Sequence, residues 1–294
     1  MRWYVSIGAV LVAGALAIGD VAGFAAPGPR NQPAPQLAEK EATASVDVEL
    51  ILAVDVSYSM DMDELAIQRE GYAQAIVSKE FLQALKTGPN GKISVTYFEW
   101  AASSDQKIII PWRVIDGPET ADAVADEILK TPIRRASRTS ISGAIYFAMP
   151  LFEANPYRGL RRVIDISGDG PNNQGAPVDI TRDAVVKQGI IINGLPLMTR
   201  GGGFGGYDVN NLDRYYSDCV IGGPGAFMIP VNDWTQFPEA IRRKLVLELA
   251  GPASPQWASE EAAHPPVVLA QDRPTDCQVG EKMWRDRSWM FDAH

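Results

Sequence analysis

Histidine is scarce in this chain, and cysteine is equally rare. The 294 residues include two histidines, His264 and His294, and both lie near the C-terminus. A Ser-His-Asp hydrolase needs a histidine beside its nucleophile, and zinc sites are built mostly from histidine and cysteine. The composition therefore gives little support to either class of enzyme.

Positive charge is also in short supply. The chain carries 27 Lys and Arg against 36 Asp and Glu, for a net charge of −9 at pH 7. A nucleic-acid-binding domain usually presents a basic patch or stripe. The densest basic run here is Arg134, Arg135 and Arg138, which we interpret as solvated loop charge or, alternatively, as the flank of a ligand groove. No nucleic-acid partner is expected.

A long apolar run occurs only at the N-terminus. Arg2 precedes apolar residues 4–18, and Asp20 ends the run short of the roughly 20 residues that a membrane span needs. We predict a cleaved signal peptide at residues 1–25, with a retained anchor as the alternative. The Pro-, Gly-, Gln- and Ala-containing residues 26–45 then form a flexible linker. The protein is expected to be periplasmic or secreted, without a stable membrane span after cleavage.

Residues 46–250 alternate between buried strands and amphipathic helices, which is typical of an α/β domain. The pattern predicts a doubly wound, Rossmann-like, mostly parallel six-stranded sheet with helices on both faces. The strands are predicted at Val48–Val56, Ile93–Trp100, Ile108–Val114, Arg162–Ile166, Ile190–Met198 and Phe227–Val231. The third strand is placed antiparallel at the sheet edge. The helices are predicted at Asp63–Leu85, Glu119–Leu129, Ser142–Phe152, Ile180–Lys187 and Phe237–Leu249.

The first strand runs into Asp55-Val-Ser57-Tyr-Ser59, the pattern D-x-S-x-S. Alternate residues of an extended segment point the same way, so one carboxylate and two hydroxyls converge just beyond the strand. Oxygen ligands of this kind suit Mg²⁺, Mn²⁺ or Ca²⁺. The alternative is that Ser59 or Asp61 only caps the following helix.

Two further segments strengthen the metal interpretation. Thr139-Ser140 precedes a predicted helix, and Asp169 follows the fourth strand. In a doubly wound sheet the first and fourth strands are neighbours at the switch point, where ligands bind. Asp55 and Asp169 should therefore face each other.

With these segments, residues 46–250 resemble the von Willebrand factor A domain, whose metal-ion-dependent adhesion site combines D-x-S-x-S, a loop threonine and a strand-end aspartate. Within that fold the chain is similar to an exported bacterial family of unknown function, which shares Thr-Ser-Ile-Ser-Gly-Ala-Ile at 139–145 and Val-Ile-Gly-Gly-Pro-Gly-Ala-Phe at 220–227.

The resemblance implies five metal-site residues: Asp55, Ser57, Ser59, Thr139 and Asp169. The three hydroxyls would ligate the cation, and the two aspartates would hold metal-bound waters and orient the serines. Two ambiguities of register remain open. Ser140 is next to Thr139, and Asp165 competes with Asp169, although Asp165 falls within the strand.

The implied function is divalent-cation-dependent protein binding, as an adhesion or scaffold module of the bacterial cell envelope. The cation would be Mg²⁺, or Mn²⁺ or Ca²⁺, and an Asp or Glu carboxylate of a protein partner would complete its shell. A metal-dependent hydrolase of small phosphoesters is the alternative, and a structural domain with an unused site is a third. An aspartyl phosphotransferase is disfavoured, because Ser57 stands where that family needs a second aspartate.

The tail, residues 251–294, contains several prolines and aromatic residues, which predict a segment without regular structure that packs across the domain. The two cysteines, Cys219 and Cys277, predict a disulfide in an exported protein, with two free thiols as the alternative. We expect this bridge to dock the tail on the domain, far enough from Asp55 and Asp169 to leave the metal site open.

Overall fold

The structure is a computed structural model, and it describes residues 44–199, 211–250 and 275–291. The predicted signal peptide and most of the predicted linker lie outside these residues, as does the first part of the tail. No helix within the described ranges is long and apolar enough to cross a lipid bilayer.

Five strands form one sheet in the described part of the chain. They are β1 (Ala44–Asp55), β2 (Ile93–Trp100), β3 (Gln106–Ile115), β4 (Tyr157–Gly168) and β5 (Ile190–Pro196). Their order is β3-β2-β1-β4-β5, with β3 antiparallel to β2 and the other pairs parallel. The α/β sheet, its antiparallel edge strand and the neighbouring first and fourth strands are thus as predicted.

The predicted sixth strand, Phe227–Val231, is not a strand in the structure. It makes only two isolated bridges beside β5, Gly194 with Met228 and Leu197 with Val231. Pro230 lies between the two bridges and has no N–H to donate to a ladder. The described sheet therefore has five strands instead of six.

Eight α-helices surround the sheet in the described ranges: α1 (Met62–Val77), α2 (Lys79–Leu85), α3 (Pro118–Lys130), α4 (Ile141–Ala148), α5 (Val178–Val186), α6 (Leu212–Tyr215), α7 (Phe237–Ala250) and α8 (Val279–Phe291). The predicted single helix Asp63–Leu85 is two helices. Ser78 has an extended backbone and ends α1, and its hydroxyl accepts a hydrogen bond from the backbone of Phe81 to begin α2.

Helix α8 was not predicted, because the sequence after Gly251 was expected to have no regular element. The prolines of the tail end at Pro274, so none of them interrupts residues 275–291. The last described segment is therefore free to form a helix.

Two apolar clusters sandwich the sheet. In β1, Leu50 and Leu52 face the cluster formed with α1, α2, α3 and α7, whereas Ile51 and Ala53 face the cluster formed with α4, α5 and α6. Because both faces of β1 are buried, the strand reads as a continuous apolar run.

A buried ion cluster lies under α7. The ammonium of Lys244 is 2.9 Å from Asp165 Oδ1 of β4 and 2.7 Å from Glu248 Oε1, and all three side chains are fully buried. Asp165 is therefore an ion-pair partner of α7. This position separates it from Asp169, which follows at the end of the strand.

Candidate metal-dependent binding site

Asp55 ends β1 and begins the site. Its side chain is completely buried, and its Oδ1 accepts a hydrogen bond of 2.7 Å from the backbone N–H of Ser57. The hydroxyls of Ser57 and Ser59 are 2.6 Å apart. Both serine hydroxyls therefore lie together, as predicted, although residues 57–60 form a turn closed by the Met60 N–H on the Ser57 carbonyl and not an extended segment. The second oxygen of Asp55, Oδ2, is buried and has no hydrogen-bond partner among the described residues.

Asp169 joins this group from the neighbouring strand. Pairing of Val54 with Ser167 aligns the ends of β1 and β4, and Ser59 Oγ donates to Asp169 Oδ1 over 2.7 Å. Gly168 permits the approach, because a Cβ there would lie 3.1 Å from Asp55 Oδ2 and closer still to a tyrosine hydroxyl. The two strand ends therefore meet through their side chains.

Thr139 reaches the same cleft from the loop before α4. The loop is fixed at one end by Ala136, whose N–H donates to the carbonyl of Val56 over 2.9 Å. At Thr139 itself, the backbone N–H donates to Asn173 Oδ1 over 3.0 Å, and the N–H of Asn173 donates back to the Thr139 carbonyl over 2.8 Å. These bonds tie the threonine loop to both strand-end loops.

Ser140, the neighbour of Thr139, makes structural hydrogen bonds and does not face the cleft. Its hydroxyl donates to the carbonyl of Gln174 over 2.7 Å and accepts from the N–H of Gly143, which caps α4. Thr139, and not Ser140, lines the cleft. The structure thus distinguishes the positions of two residues that the sequence left ambiguous.

The loop after β1 also supplies the cap of α1, as the alternative interpretation of this segment predicted, but the capping residue is Asp61 and not Ser59. Asp61 caps α1, accepting from the N–H of Glu64, and Glu64 accepts from the N–H of Asp61 in a capping box. Ser59 is not used as a cap and bonds to Asp169 instead. The cap and the oxygen cluster are therefore separate features of one loop.

The electrostatics of the cluster favour a cation. Burial raises the pKa of Asp55 well above its usual value, and the nearby carboxylate of Asp169 raises it further, while hydrogen bonds from Ser57 act in the opposite direction. A divalent cation would offset the repulsion between the two carboxylates. It would also give the buried Oδ2 of Asp55 a positive charge to face.

The donor set, rich in oxygen, fits a hard cation. In the described ranges no group of three or more His, Cys, Asp or Glu side chains could hold a metal ion. A cation here would depend on hydroxyl oxygens together with carboxylates, the combination that suits Mg²⁺, Mn²⁺ or Ca²⁺. The residues that would hold it are Asp55, Ser57, Ser59, Thr139 and Asp169.

Four of these five residues border a cleft of about 410 Å³. Ser57, Ser59, Thr139 and Asp169 line it, whereas Asp55 lies beneath them. Helix α8 supplies another wall through its first two turns. The cleft is therefore polar at the strand ends and more apolar on the side of the tail.

The tail is attached beside this cleft by a disulfide. Cys219 and Cys277 are bridged, with their Cα atoms 5.5 Å apart, so the predicted disulfide is confirmed. Two residues after the bridge α8 begins, and Asn172 Nδ2 donates to Glu281 Oε1 over 2.6 Å. Gly280 packs so tightly here that a Cβ at its position would lie 2.1 Å from the carbonyl oxygen of Asn172.

The tail docks beside Asp169, as one wall of the cleft, and a cleft of about 410 Å³ is left between them. Gly280, Met283 and Trp284 line the same cleft as Asp169. The reason is geometric: Cys277 is three residues from Gly280, which rests on the loop that follows Asp169. The bridge thus brings the tail to the site.

Arg138, Met283 and Trp284 are cleft residues that the sequence did not identify. The position of Arg138 beside Thr139 was an available signal, since it lies in the basic run interpreted as loop charge or a groove flank. For Met283 and Trp284 there is no local signal. Their position follows from the disulfide and from contacts between distant parts of the chain.

A family model described as "Protein of unknown function (DUF1194)" matches residues 45–253. The chain belongs to the DUF1194 family. This match covers the sheet, the cleft loops and helices α1 to α7. A search of curated protein sequences finds no match.

Solved structures resemble the DUF1194 chain in fold. Proximal thread matrix protein 1 from the mussel byssus, with a zinc-occupied MIDAS motif, is 14% identical with a TM-score of 0.53, covering 70% of this chain and 49% of its own. The pilus adhesin SpaC from Lactobacillus rhamnosus GG is 10% identical with a TM-score of 0.52, covering 69% and 31%. A von Willebrand factor type A structure from Catenulispora acidiphila is 12% identical with a TM-score of 0.47, covering 70% and 43%.

The DUF1194 chain therefore spans about half the length of the mussel protein and a third of the adhesin. At these identities the likeness establishes the fold alone. The α/β fold shared with the mussel protein and the adhesin agrees with the von Willebrand A-type resemblance found in the sequence.

Proposed function

We propose that this DUF1194 protein is a divalent-cation-dependent protein-binding module and not an enzyme. The observation that carries the proposal is the hydrogen bond from Ser59 to Asp169, which joins the two strand ends into one oxygen cluster. Thr139 lines the same cleft. Mg²⁺, or Mn²⁺ or Ca²⁺, would bind there, and an Asp or Glu of a protein partner would complete its shell.

The chemistry of the residues explains why such a site would bind and not react. The three hydroxyls are neutral ligands, so they leave the charge of a cation largely uncompensated in its immediate shell. A partner carboxylate entering the cleft would gain a strong Coulomb interaction, because the surroundings are partly dehydrated. The cation would then form a bridge between two proteins.

Hydrolysis is less well supported by the same contacts. Asp55 accepts from the backbone of Ser57, and Asp169 accepts from the hydroxyl of Ser59. Both carboxylates therefore hold the serines in place. A general base must instead be within hydrogen-bond reach of a reacting water and able to take its proton.

We also propose that the protein is exported to the periplasm or beyond. Three features support this: the predicted signal peptide, the linker that follows it and the Cys219–Cys277 bridge, since disulfides persist in oxidising compartments. Two proteins of similar fold are a byssus matrix protein and a pilus adhesin. A cell-envelope adhesion or scaffold role agrees with both.

Calorimetric titration with Mg²⁺ and Mn²⁺ tests the proposal. The wild-type protein should bind one cation, and Asp55→Ala and Ser57→Ala should each weaken binding by about 10–100-fold or more. Asp122→Ala is a matched control, because Asp122 is exposed on α3, away from the cleft. Unchanged binding in both cleft variants would rule out the site.

A second measurement separates binding from catalysis. The purified protein with Mg²⁺ or Mn²⁺ is expected to show no turnover of para-nitrophenyl phosphate. Turnover that EDTA abolishes, and that is absent in Asp55→Ala, would favour the hydrolase instead. Chemical cross-linking to envelope proteins, with and without EDTA, then looks for the partner directly.

A further inference from the structure

Two arginines of the loop before α4 stack on aromatic rings at the cleft. The guanidinium carbon of Arg138 is 3.4 Å from the ring centroid of Trp284. That of Arg135 is 5.4 Å from the ring centroid of Tyr58, and its Nη2 donates to the Tyr58 carbonyl over 2.7 Å. Arg138, Trp284 and Tyr58 all line the cleft. The oxygen cluster is therefore flanked by two arginines, each of which lies against an aromatic ring.

The position of Arg138 is fixed by its surroundings. Its backbone φ is 76°, in the left-handed region that an arginine seldom adopts. The next residue, Thr139, is held to Asn173 by the two backbone hydrogen bonds described above. Trp284 is held by α8, whose start is tied down by the disulfide. A guanidinium held in this way loses little freedom when it binds an anion.

The third arginine of the run behaves differently. Arg134 forms ion pairs with Glu99, at 3.1 Å, and with Asp105, at 2.7 Å. By contrast, no ion pair within the described residues includes Arg135 or Arg138. The charge of Arg134 is thus paired inside the domain, whereas Arg138 lines the cleft and Arg135 contacts Tyr58, another cleft residue.

The balance of charge then indicates the ligand. A divalent cation would neutralise Asp55 and Asp169, which leaves the two stacked arginines as an excess of positive charge. Such a cleft attracts a ligand with more than one negative group, because complementary charge steers and orients the partner. Its concave shape favours a protruding segment over a flat protein face.

We propose that the partner inserts an acidic segment with at least two carboxylates. One carboxylate reaches the cation, and a second is bound by Arg138, which Trp284 positions. Arg135 on Tyr58 adds a weaker contact at the other side. This inference rests on the proposed cation-dependent function, and it adds that the C-terminal helix forms part of the binding site.

Two synthetic peptides of the same length test the inference in the presence of saturating Mg²⁺. One is Gly-Asp-Gly-Glu-Gly-Glu-Gly and the other is Gly-Asp-Gly-Gln-Gly-Gln-Gly, both with blocked ends. We expect the first to bind about tenfold more tightly, as measured by calorimetry. Arg138→Gln should remove most of this preference, and Arg135→Gln a smaller share. Arg113→Gln on β3 is the matched control and should leave the preference unchanged.

The role of Trp284 is tested by a conservative pair of variants. Trp284→Ala should reduce the preference for the acidic peptide about as much as Arg138→Gln does, whereas Trp284→Phe should keep most of it, because a ring remains under the guanidinium. Loss in both variants would mean that the ring is not what positions the arginine.

Equal affinity for the two peptides would overturn the inference, as would a preference that survives Arg138→Gln. Binding of neither peptide by protein that binds Mg²⁺ would also reject it while leaving the proposed function in place. Failure of the wild-type protein to bind Mg²⁺ would reject both this inference and the proposed function. Arg138-dependent binding of inorganic phosphate that excludes the peptide would point to a free anion as the ligand.

Discussion

Removing the Cys219–Cys277 bridge offers the sharpest test of how the tail is held. We consider the double variant Cys219→Ala and Cys277→Ala, since alanine leaves no hydroxyl at the fully buried position of Cys219. The bridge joins residues 58 positions apart. For a loop of that length the chain-entropy relation gives a stabilisation of about 4 kcal/mol at 25 °C.

The measured loss depends on what the tail does without the bridge. If its contacts with the loop after β4, including the hydrogen bond between Asn172 and Glu281, are sufficient to keep it docked, the whole of that free energy should be lost. If the tail leaves, the loss is smaller, because the freed residues regain conformational entropy in the native state. The two cases can be told apart by protease, because a docked tail resists cleavage and a released tail does not.

Urea unfolding of the oxidised protein and the double variant gives the free-energy difference, and limited proteolysis reports on the tail. For a domain of this size, about 4 kcal/mol corresponds to a fall in the melting temperature of about 8–16 °C. A loss below about 1 kcal/mol in a variant whose tail is still protected from protease would refute the reasoning, because neither case produces that combination.

Three further substitutions test the packing. Gly280→Ala should expose the tail to protease, because its Cβ would lie 2.1 Å from a backbone oxygen of the loop after β4; Gln278→Ala, at an exposed position, is the control. Gly71→Ala should lower the free energy of unfolding by about 1–3 kcal/mol in urea titrations, since its Cβ would lie 2.6 Å from the ring of Phe237. Lys244→Met should cost about 3–5 kcal/mol by the same assay, because two fully buried carboxylates lose their counter-ion.

The parts of the fold that follow from local pattern were predictable from the sequence. The apolar runs within β1 and β5 have the continuous pattern of strands buried on both faces, and β2 is rich in β-branched and aromatic residues, so their positions and the α/β class could be inferred. The meeting of Asp55 with Asp169 was also predictable, because it requires only that their strands be neighbours in a doubly wound sheet.

Features that depend on distant contacts were not predictable. The stacking of Arg138 on Trp284 joins residues far apart in sequence, and it depends on where the Cys219–Cys277 bridge places α8. No periodicity in either segment marks that contact. The loss of the sixth strand had a local signal in Pro230, but the apolar residues around it favoured a strand.

Strand β3 lies at one edge of the sheet, and three of its features hinder strand pairing between two copies of the protein. Its pairing with β2 shifts register at two places, Pro111 interrupts its row of N–H donors, and Lys107 and Arg113 are exposed along it. Each of these features hinders a second molecule from adding a strand to the sheet. At the opposite edge, residues 222 to 231 bridge to β5. Edge-to-edge polymerisation through this sheet is thus discouraged on both sides, which leaves the loops at the strand ends as the surface that remains available for contact with other molecules.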